Sequence, residues 1–575
     1  EVFSTENTCA SYLRLAWKDN AGLELLAERP REFCTFVNGT RYGEPLAARV
    51  LRYGTSENQP FPAQILSSAT LGKSVVLGPL SGRVSDIATT YAGSDGTAGR
   101  IAIRLDATRF WRGQETLLVK PGATAEGETL YLGVSAELDL TAATAAYRAL
   151  LRQALTRRTH AQRLNVFAEG RVWGSWNLGL FRNISHDMIL EQARIIQATR
   201  PDLKWIEIDD GYTTISRPGP FILEPPGIDE RKFPQGMKAL ADGIRALGLK
   251  PSLWLGLIIN PETVIPEFAR DWLLLKKDGT PLMLPAGNKF LDFSLDEVRE
   301  YFQHVVDTVT RDWGFQGFKL DFWSDHFLCT DIAYRNPEWT GIMLRDWFCS
   351  TLRDAVGDDG FLLTCCCVGS GNPFIGQYAD CYRCGIDIGA GKDWHGQVST
   401  AFWYAMQAKL RTAEFILPDI DSIGDFTRIV PVNMHRCWVS FAALSGAHVE
   451  YGGLLQNESA EYGASTVAAF NWIPLGCMPE PLDFPHPRQG RLAPMLWLNR
   501  GRDDGPLYLA VCNWDEEQAT QPFAIQAREL GLPRLADTTV HEFWQQTEIQ
   551  ATEAREIQVP SIPPCDALVY ILKSR

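Results

Sequence analysis

The chain has 575 residues, 45% of them hydrophobic and 22% charged, with a formal net charge of -14. That length exceeds what one hydrophobic core usually serves and points to about three domains, fewer if one is a large barrel. The acidic balance argues against nucleic acid as a partner, since such binding rests on lysine and arginine displacing counterions. No stretch approaches the roughly 18 consecutive apolar residues that a membrane-crossing helix needs, so no membrane partner is expected either.

Residues 1–140 alternate apolar and polar positions in short runs, such as Ile101-Ala-Ile-Arg-Leu-Asp, separated by Gly, Pro, Ser and Asn turns. This reads as an N-terminal β-sandwich. Residues 141–165 are rich in Ala, Leu and Arg and read as a helical linker.

From residue 166 to 490 the rhythm becomes strand, polar loop, helix, strand. Strands are expected at 171–176, 204–209, 251–257, 317–321, 361–366, 380–388, 414–417 and 447–451, the count of a (β/α)8 TIM barrel in an α/β chain. Ser294-Leu-Asp-Glu297 predicts a capping box before a helix whose apolar stripe is Val298, Phe302, Val305 and Val309, with Gly314 after its end. A second helix, 236–247, closes on Gly248. The long Pro-rich segment 212–233 suits a rim loop. Residues 491–575 return to short strands and read as a small C-terminal β-sandwich.

Of the 13 cysteines, Cys365, Cys366, Cys367, Cys381 and Cys384 lie in apolar, strand-like sequence. They suit buried free thiols in a reducing compartment, so a cytoplasmic location is expected. The chain begins at Glu1 rather than methionine, which leaves a processed N-terminus open. Cys381 and Cys384 have a metal-like spacing, yet positions three apart on a strand face opposite ways. His326, His395, His435 and His448 show no ligand spacing, and no metal site is expected.

Side chains along a strand alternate faces, so Lys319, Asp321 and Trp323 share one side of their strand, and Arg383, Gly385 and Asp387 share one side of theirs. Two carboxylates and two cations at one barrel mouth are the minimum for cutting a glycosidic bond, with one carboxylate attacking and one carboxyl group assisting the leaving group. Lys319 would favour the ionised form of Asp321, which suits a nucleophile. Asp387 needs the opposite tuning, and Arg383 works against it. Asp321 could equally be a solvated strand end, and Arg383 a structural partner of Asp380 or Asp387. Asp209-Asp210 can accept hydrogen bonds from sugar hydroxyls, or can supply negative charge to a following helix. Asp419 and Asp421, just past the seventh expected strand, bind substrate or hold Arg and Lys in place; the structural role is favoured for Asp421. Trp173, Trp176, Trp254, Trp323 and Trp394 lie near expected strand ends, where aromatic faces can stack on sugar rings.

The order of Lys250-Pro-Ser-Leu-Trp-Leu-Gly, Asp271-Trp-Leu-Leu-Leu-Lys-Lys-Asp-Gly, Leu291-Asp-Phe and Trp313-Gly-Phe-Gln-Gly-Phe-Lys-Leu-Asp321 resembles clan D of the glycoside hydrolases, most of all family 36, the α-galactosidase type. The resemblance implies a retaining exo-α-glycosidase, with Asp321 as nucleophile and Asp387 as acid/base. It further implies that Asp209, Asp210, Lys319, Arg383 and Trp254 bind an α-linked oligosaccharide or glycoside, with no cofactor needed and a homo-oligomer left open. Trp173 and Trp323, by their place near strand ends, and Tyr212, by its apolar face, are expected to line the same sugar site. Tyr212, Ser370-Gly-Asn-Pro373 and Gly385-Ile-Asp387 depart from the family's usual Trp, Cys-Gly-x-Pro and Gly-Pro-Asp. They leave the sugar undetermined among galactose, N-acetylgalactosamine, β-L-arabinopyranose and a glucose-type unit. A transglycosylase of the same fold, of raffinose-synthase type, and a non-catalytic sugar-binding protein are the alternative readings.

Overall fold

The computed structural model describes residues 129–220, 227–323, 332–365, 373–388, 394–484, 493–501, 505–535, 538–549 and 556–574, together with residues 72–81 and the strands named below within residues 1–128. Cys366, Cys367, His326, the middle of the 212–233 loop and residues 370–372 lie outside the described residues. The chain divides into two compact units, Glu1–Val166 with Asp209–Ala246 and Lys250–Tyr382, and Phe167–Ile208 with Leu247–Leu249 and Arg383–Arg575.

Among the described residues the N-terminal region holds two two-stranded antiparallel ribbons, Val2–Phe3 with Thr124–Ala125 and Thr8–Ala10 with Leu117–Val119, and two larger antiparallel sheets. One runs in the order Tyr12–Ala16, Thr97–Asp106, Asp86–Ser94, Thr55–Asn58; the other runs Leu130–Ser135, Lys73–Pro79, Gln64–Ser68, Phe33–Val37, Ala47–Val50. Helices Ala145–Ala154 and His160–Asn165 follow. Thr159 and Gln162 cap the second of these reciprocally, each side chain meeting the other's backbone amide.

The barrel is a closed sheet of eight strands in chain order: β1 Arg171–Gly174, β2 Leu203–Ile208, β3 Lys250–Gly256, β4 Gly317–Asp321, β5 Phe361–Thr364, β6 Cys381–Arg383, β7 Leu417–Ile423 and β8 His448–Gly452. The recorded pairings are parallel. Such strands are buried on both faces and must read as apolar runs, which is why most stand close to their expected places. Two differ. β6 stops at Arg383, so Asp387 lies on the loop beyond it, and strand alternation does not set the direction of its side chain. β7 begins where the expected strand ended, because Thr412–Glu414 forms a single helical turn; Asp419 and Asp421 therefore lie within the strand.

Helix α1, His186–Thr199, is capped by Ser185; α2, Gly236–Ala246, ends before Gly248, whose φ of 76° stops the helix and turns the chain into β3. Helix α3, Asp296–Asp307, buries Val298, Phe302, Val305 and Val306. Its expected capping box does not form. The Ser294 hydroxyl donates to Asp292 Oδ1 at 2.6 Å while its oxygen accepts the amide of Asn336 at 3.1 Å rather than one from the helix, and the first turn carries Asp296 and Glu297 to balance the helix dipole. Phe302 stacks on Phe348 of α4, Gly341–Val356, with centroids 4.8 Å apart. Each such ring contributes about 1.5–3 kcal/mol through burial. Two further helices, α5 Trp394–Leu410 and α6 Val432–Ser445, follow β6 and β7.

The C-terminal region is a six-stranded antiparallel sheet, ordered Glu480–Pro481, Leu496–Asn499, Leu507–Cys512, Ala567–Ser574, Thr538–Glu542, Thr547–Ile549, with a ribbon of Phe523–Gln526 and Glu556–Val559. Ile525, Ile557 and Val559 of the ribbon share one apolar cluster with Leu496, Leu509, Val540 and Tyr570 of the sheet. Among the described residues eight cysteines are free thiols, seven of them buried, and no helix is long and apolar enough to cross a membrane.

Candidate active site

The site residues fall into two polar clusters, one in each unit. In the first, β2 delivers Asp209 and Asp210 just past Ile208, and β4 delivers Lys319 and Asp321. Lys319 Nζ lies 2.8 Å from Asp209 Oδ2, with both side chains about 95% buried (4% and 5% exposed). An ion pair this deep persists only where its remaining polar atoms are also held. Asp209 Oδ1 accepts the amide of Asp210 at 2.7 Å, and Asp210 Oδ2 accepts the Ser216 hydroxyl at 2.6 Å. The partner of Lys319 is thus an aspartate from β2, two strands away in the barrel order.

Asp321 ends β4 opposite Gly256 of β3, with Lys319 opposite Trp254. Its Oδ1 accepts the amide of Phe322 at 2.8 Å and its Oδ2 accepts the indole N–H of Trp254 at 3.2 Å. Two donors on a carboxylate stabilise its charged form and fix its rotamer. Trp254 is itself held, its carbonyl accepting the Tyr212 hydroxyl at 2.9 Å. Phe322 has φ 49°, a left-handed conformation that is costly for an aromatic residue and that recurs at functional sites. The guanidinium of Arg217 lies 5.3 Å from its ring centroid.

That turn at Phe322 breaks the alternation expected of the strand, and Trp323 does not join Lys319 and Asp321. Its ring, without accessible surface, stacks on Phe348 at 6.0 Å and 14°, and its N–H bonds the carbonyl of Cys365 at 2.8 Å. Tyr212, 1% exposed, and Trp173, fully buried with its N–H on the Gly453 carbonyl at 2.9 Å, likewise present no open ring face.

The second cluster is built around Arg383 at the end of β6. Its Nε meets Asp419 Oδ2, its Nη2 meets Asp421 Oδ1 and its Nη1 meets Asp387 Oδ1, each at 2.8 Å. Asp419 and Asp421 are buried, whereas the Asp387 side chain is 56% exposed. Asp387 is therefore the carboxylate of this cluster open to solvent. Asp380 takes no part, since Arg158 Nη2 and Arg353 Nη2 each hold one of its oxygens at 2.7 Å.

Sequence reasoning missed Ser216 and Arg217, although they lie in the loop it had singled out, and it missed Glu207 of β2 and Glu450 of β8. Both glutamates are fully buried and flank Gly174: a Cβ there would stand 2.5 Å from Glu450 Oε2 and 3.4 Å from Glu207 Oε2. The signal for Glu207 was its alternation with Asp209. Among the described residues no group of three or more His, Cys, Asp or Glu is arranged to hold a metal ion.

No protein-family model matches the chain. Over 165 residues, 26% of the chain, it is 31% identical to the A type blood α-D-galactosamine galactosaminidase of Flavonifractor plautii, of whose length the match spans 14%. Among solved structures it is similar to the α-galactosidase from Lactobacillus brevis, with a TM-score of 0.65, 13% identity and coverage of 100% of this chain and 76% of that one. It is also similar to the galactosidase domain of the α-galactosidase–sucrose kinase AgaSK, with a TM-score of 0.64, 15% identity and coverage of 94% and 74%. A variant of the family 36 α-galactosidase AgaA from Geobacillus stearothermophilus in complex with stachyose gives a TM-score of 0.64, 13% identity and coverage of 95% and 75%. At these identities the likeness establishes the fold: a TIM barrel with additional sheet domains, as in the family 36 structures.

Proposed function

We propose that the protein is a retaining exo-α-glycosidase acting on α-galactosides, with Asp321 as nucleophile and Asp387 as general acid/base. The observation that carries this reading is the contrast between the two carboxylates. Asp321 is fixed at the end of β4 by two hydrogen-bond donors, and Asp387, beyond the end of β6, is open to solvent on an arginine. In parallel barrels catalytic groups gather at the C-terminal strand ends. The likeness in fold to α-galactosidases, one of them holding stachyose, supports the substrate class.

In the first step Asp321 attacks the anomeric carbon as the bond to the leaving oxygen breaks, and that oxygen takes the proton of Asp387. In the second, Asp387 as carboxylate takes a proton from water while the water oxygen attacks the same carbon and the ester to Asp321 breaks, so configuration is retained. This chemistry requires the two carboxyl groups to stand about 5 to 5.5 Å apart around the sugar. The buried Asp209–Lys319 pair and Asp210, with its Ser216 donor, supply acceptors and a donor suited to the hydroxyls of the bound sugar, and Trp254 holds the nucleophile.

The test is turnover of a panel of nitrophenyl α-glycosides by wild type and Asp321→Asn. Wild type should release nitrophenol from the α-galactoside, and the variant should lose at least about 10³-fold in kcat while keeping its fold, as removal of a covalent nucleophile does. Ordinary turnover in Asp321→Asn overturns the role, and an inactive wild type overturns the activity. The identity to a galactosaminidase favours a second reading, in which the sugar carries nitrogen at C2. A higher kcat/KM on the galactosamine or N-acetylgalactosamine member of the panel than on the galactose member would select it.

A further inference from the structure

We infer that Asp421 is a positioning residue that aims Asp387, acting through Arg383 and the amide of Ile388 rather than through substrate; the inference rests on the acid/base role proposed above for Asp387.

β7 is not a regular strand. Asp419 pairs with His448 and Ser422 with Glu450, so β7 spends one residue more than β8 over the same stretch. That is a bulge, a device that re-aims side chains. Asp421 sits in it with φ 80°, a left-handed conformation that aspartate tolerates better than most residues and that is still strained. The strain brings both carboxylate oxygens to bear. Oδ1 lies 2.8 Å from Arg383 Nη2, and Oδ2 accepts the N–H of Ile388.

Those two partners bracket Asp387 along the chain. Arg383 precedes it by four residues and holds its Oδ1 at 2.8 Å, and Ile388 follows it directly. Between them, Gly385 packs so tightly on Thr400 of α5 that a Cβ would meet the threonine at 2.3 Å. One buried carboxylate thus fastens both ends of the segment whose single exposed acid is Asp387. Neutralising Arg383 would not by itself require this arrangement, since Asp419 already meets its Nε at 2.8 Å and also accepts the Asp421 amide at 2.9 Å. Neither the strained φ nor the Ile388 contact serves neutralisation; both serve the placement of residue 387.

A role in aiming the acid predicts a selective defect. A leaving group that departs without a proton does not need Asp387 in the glycosylation step, whereas an alkyl or sugar leaving group does. The experiment measures kcat/KM, which reports that step, on 2,4-dinitrophenyl α-galactoside and on methyl α-galactoside for wild type, Asp421→Asn and Asp421→Gly. Asparagine keeps the shape and tolerates the backbone conformation but faces one of the two donors with an NH2 group. Glycine removes the carboxylate together with the strain, so a folding defect in one variant is checked by the other. Both should lose activity on the methyl glycoside at least tenfold more than on the dinitrophenyl glycoside, within the roughly 10²–10⁴-fold that a general acid supplies. Equal losses on the two substrates, or no loss on either, overturn the positioning role while the glycosidase reading stands. A wild type inactive on both overturns that reading, and this role with it.

Discussion

Adding one methyl group at the end of β3 should loosen the nucleophile. Gly256 faces Asp321 across the β3–β4 pairing, and a Cβ built on it would stand 2.5 Å from Cη2 and 2.9 Å from Cζ2 of Trp254. Carbon atoms rest at about 3.5–4.0 Å from one another, so in Gly256→Ala the rigid indole must retreat by about 1 Å. Its N–H already reaches Asp321 Oδ2 only at 3.2 Å, the long end of an N–H···O bond, and the contact does not survive that displacement. A hydrogen bond to a charged acceptor contributes about 1.5–3 kcal/mol; for a bond this long the lower figure applies, which is roughly tenfold in rate. Trp254→Phe removes the same N–H and leaves the glycine untouched. Both variants should therefore lose about tenfold in kcat/KM on p-nitrophenyl α-galactoside, with the burst of the first turnover slowed in the same ratio. Full activity in Trp254→Phe would refute the argument, because the donor would then have no part in holding Asp321.

Two further outcomes concern stability. Asp380 is fully buried between Arg158 and Arg353, and removing one partner of a buried charge network leaves the others uncompensated. Asp380→Asn should cost about 3–5 kcal/mol in chemical denaturation, and a loss under about 1 kcal/mol would contradict this. His435 is pushed down to about 4, chiefly by burial, with the charge of Asp425 opposing. In the unfolded chain a histidine titrates near about 6.5. Between those values the unfolded chain binds a proton that the native one excludes, so stability contributed by neutral His435 is complete above about pH 6.5 and is lost as pH falls toward 4, by up to about 3 kcal/mol. His435→Gln should flatten that part of the unfolding free energy measured against pH; an unchanged slope would assign the pH dependence to other groups.

The barrel was legible because its strands are buried on both faces and so appear as apolar runs between turn residues. β4 stands at the expected residues, Gly317–Asp321. β7 was the strand read least well, and the reason is physical: Leu417–Ile423 contains Pro418, Asp419 and Asp421, residues whose local preferences are those of a loop. They remain in a central strand because Arg383 supplies the charge that two buried aspartates need. No local window contains that partner. The capping box at Ser294 failed for a related reason: the oxygen that would have accepted a helix amide accepts that of Asn336, far along the chain.

At the site, period-two reasoning holds as far as the backbone stays extended and no farther. It puts Lys319 and Asp321 on one face of β4, whereas Trp323, one residue past a φ of 49°, turns away into the core. Asp387 lies past the end of β6, and its direction comes from its partners: the guanidinium of Arg383, which Asp419 and Asp421 orient. Asp380 is held by Arg158 and Arg353, whereas Arg383 meets Asp387 together with Asp419 and Asp421 of β7. The two aspartates that orient the guanidinium come from another strand, outside any local window around Asp387, which is why residue type and spacing nominated Asp387 without accounting for how it is held.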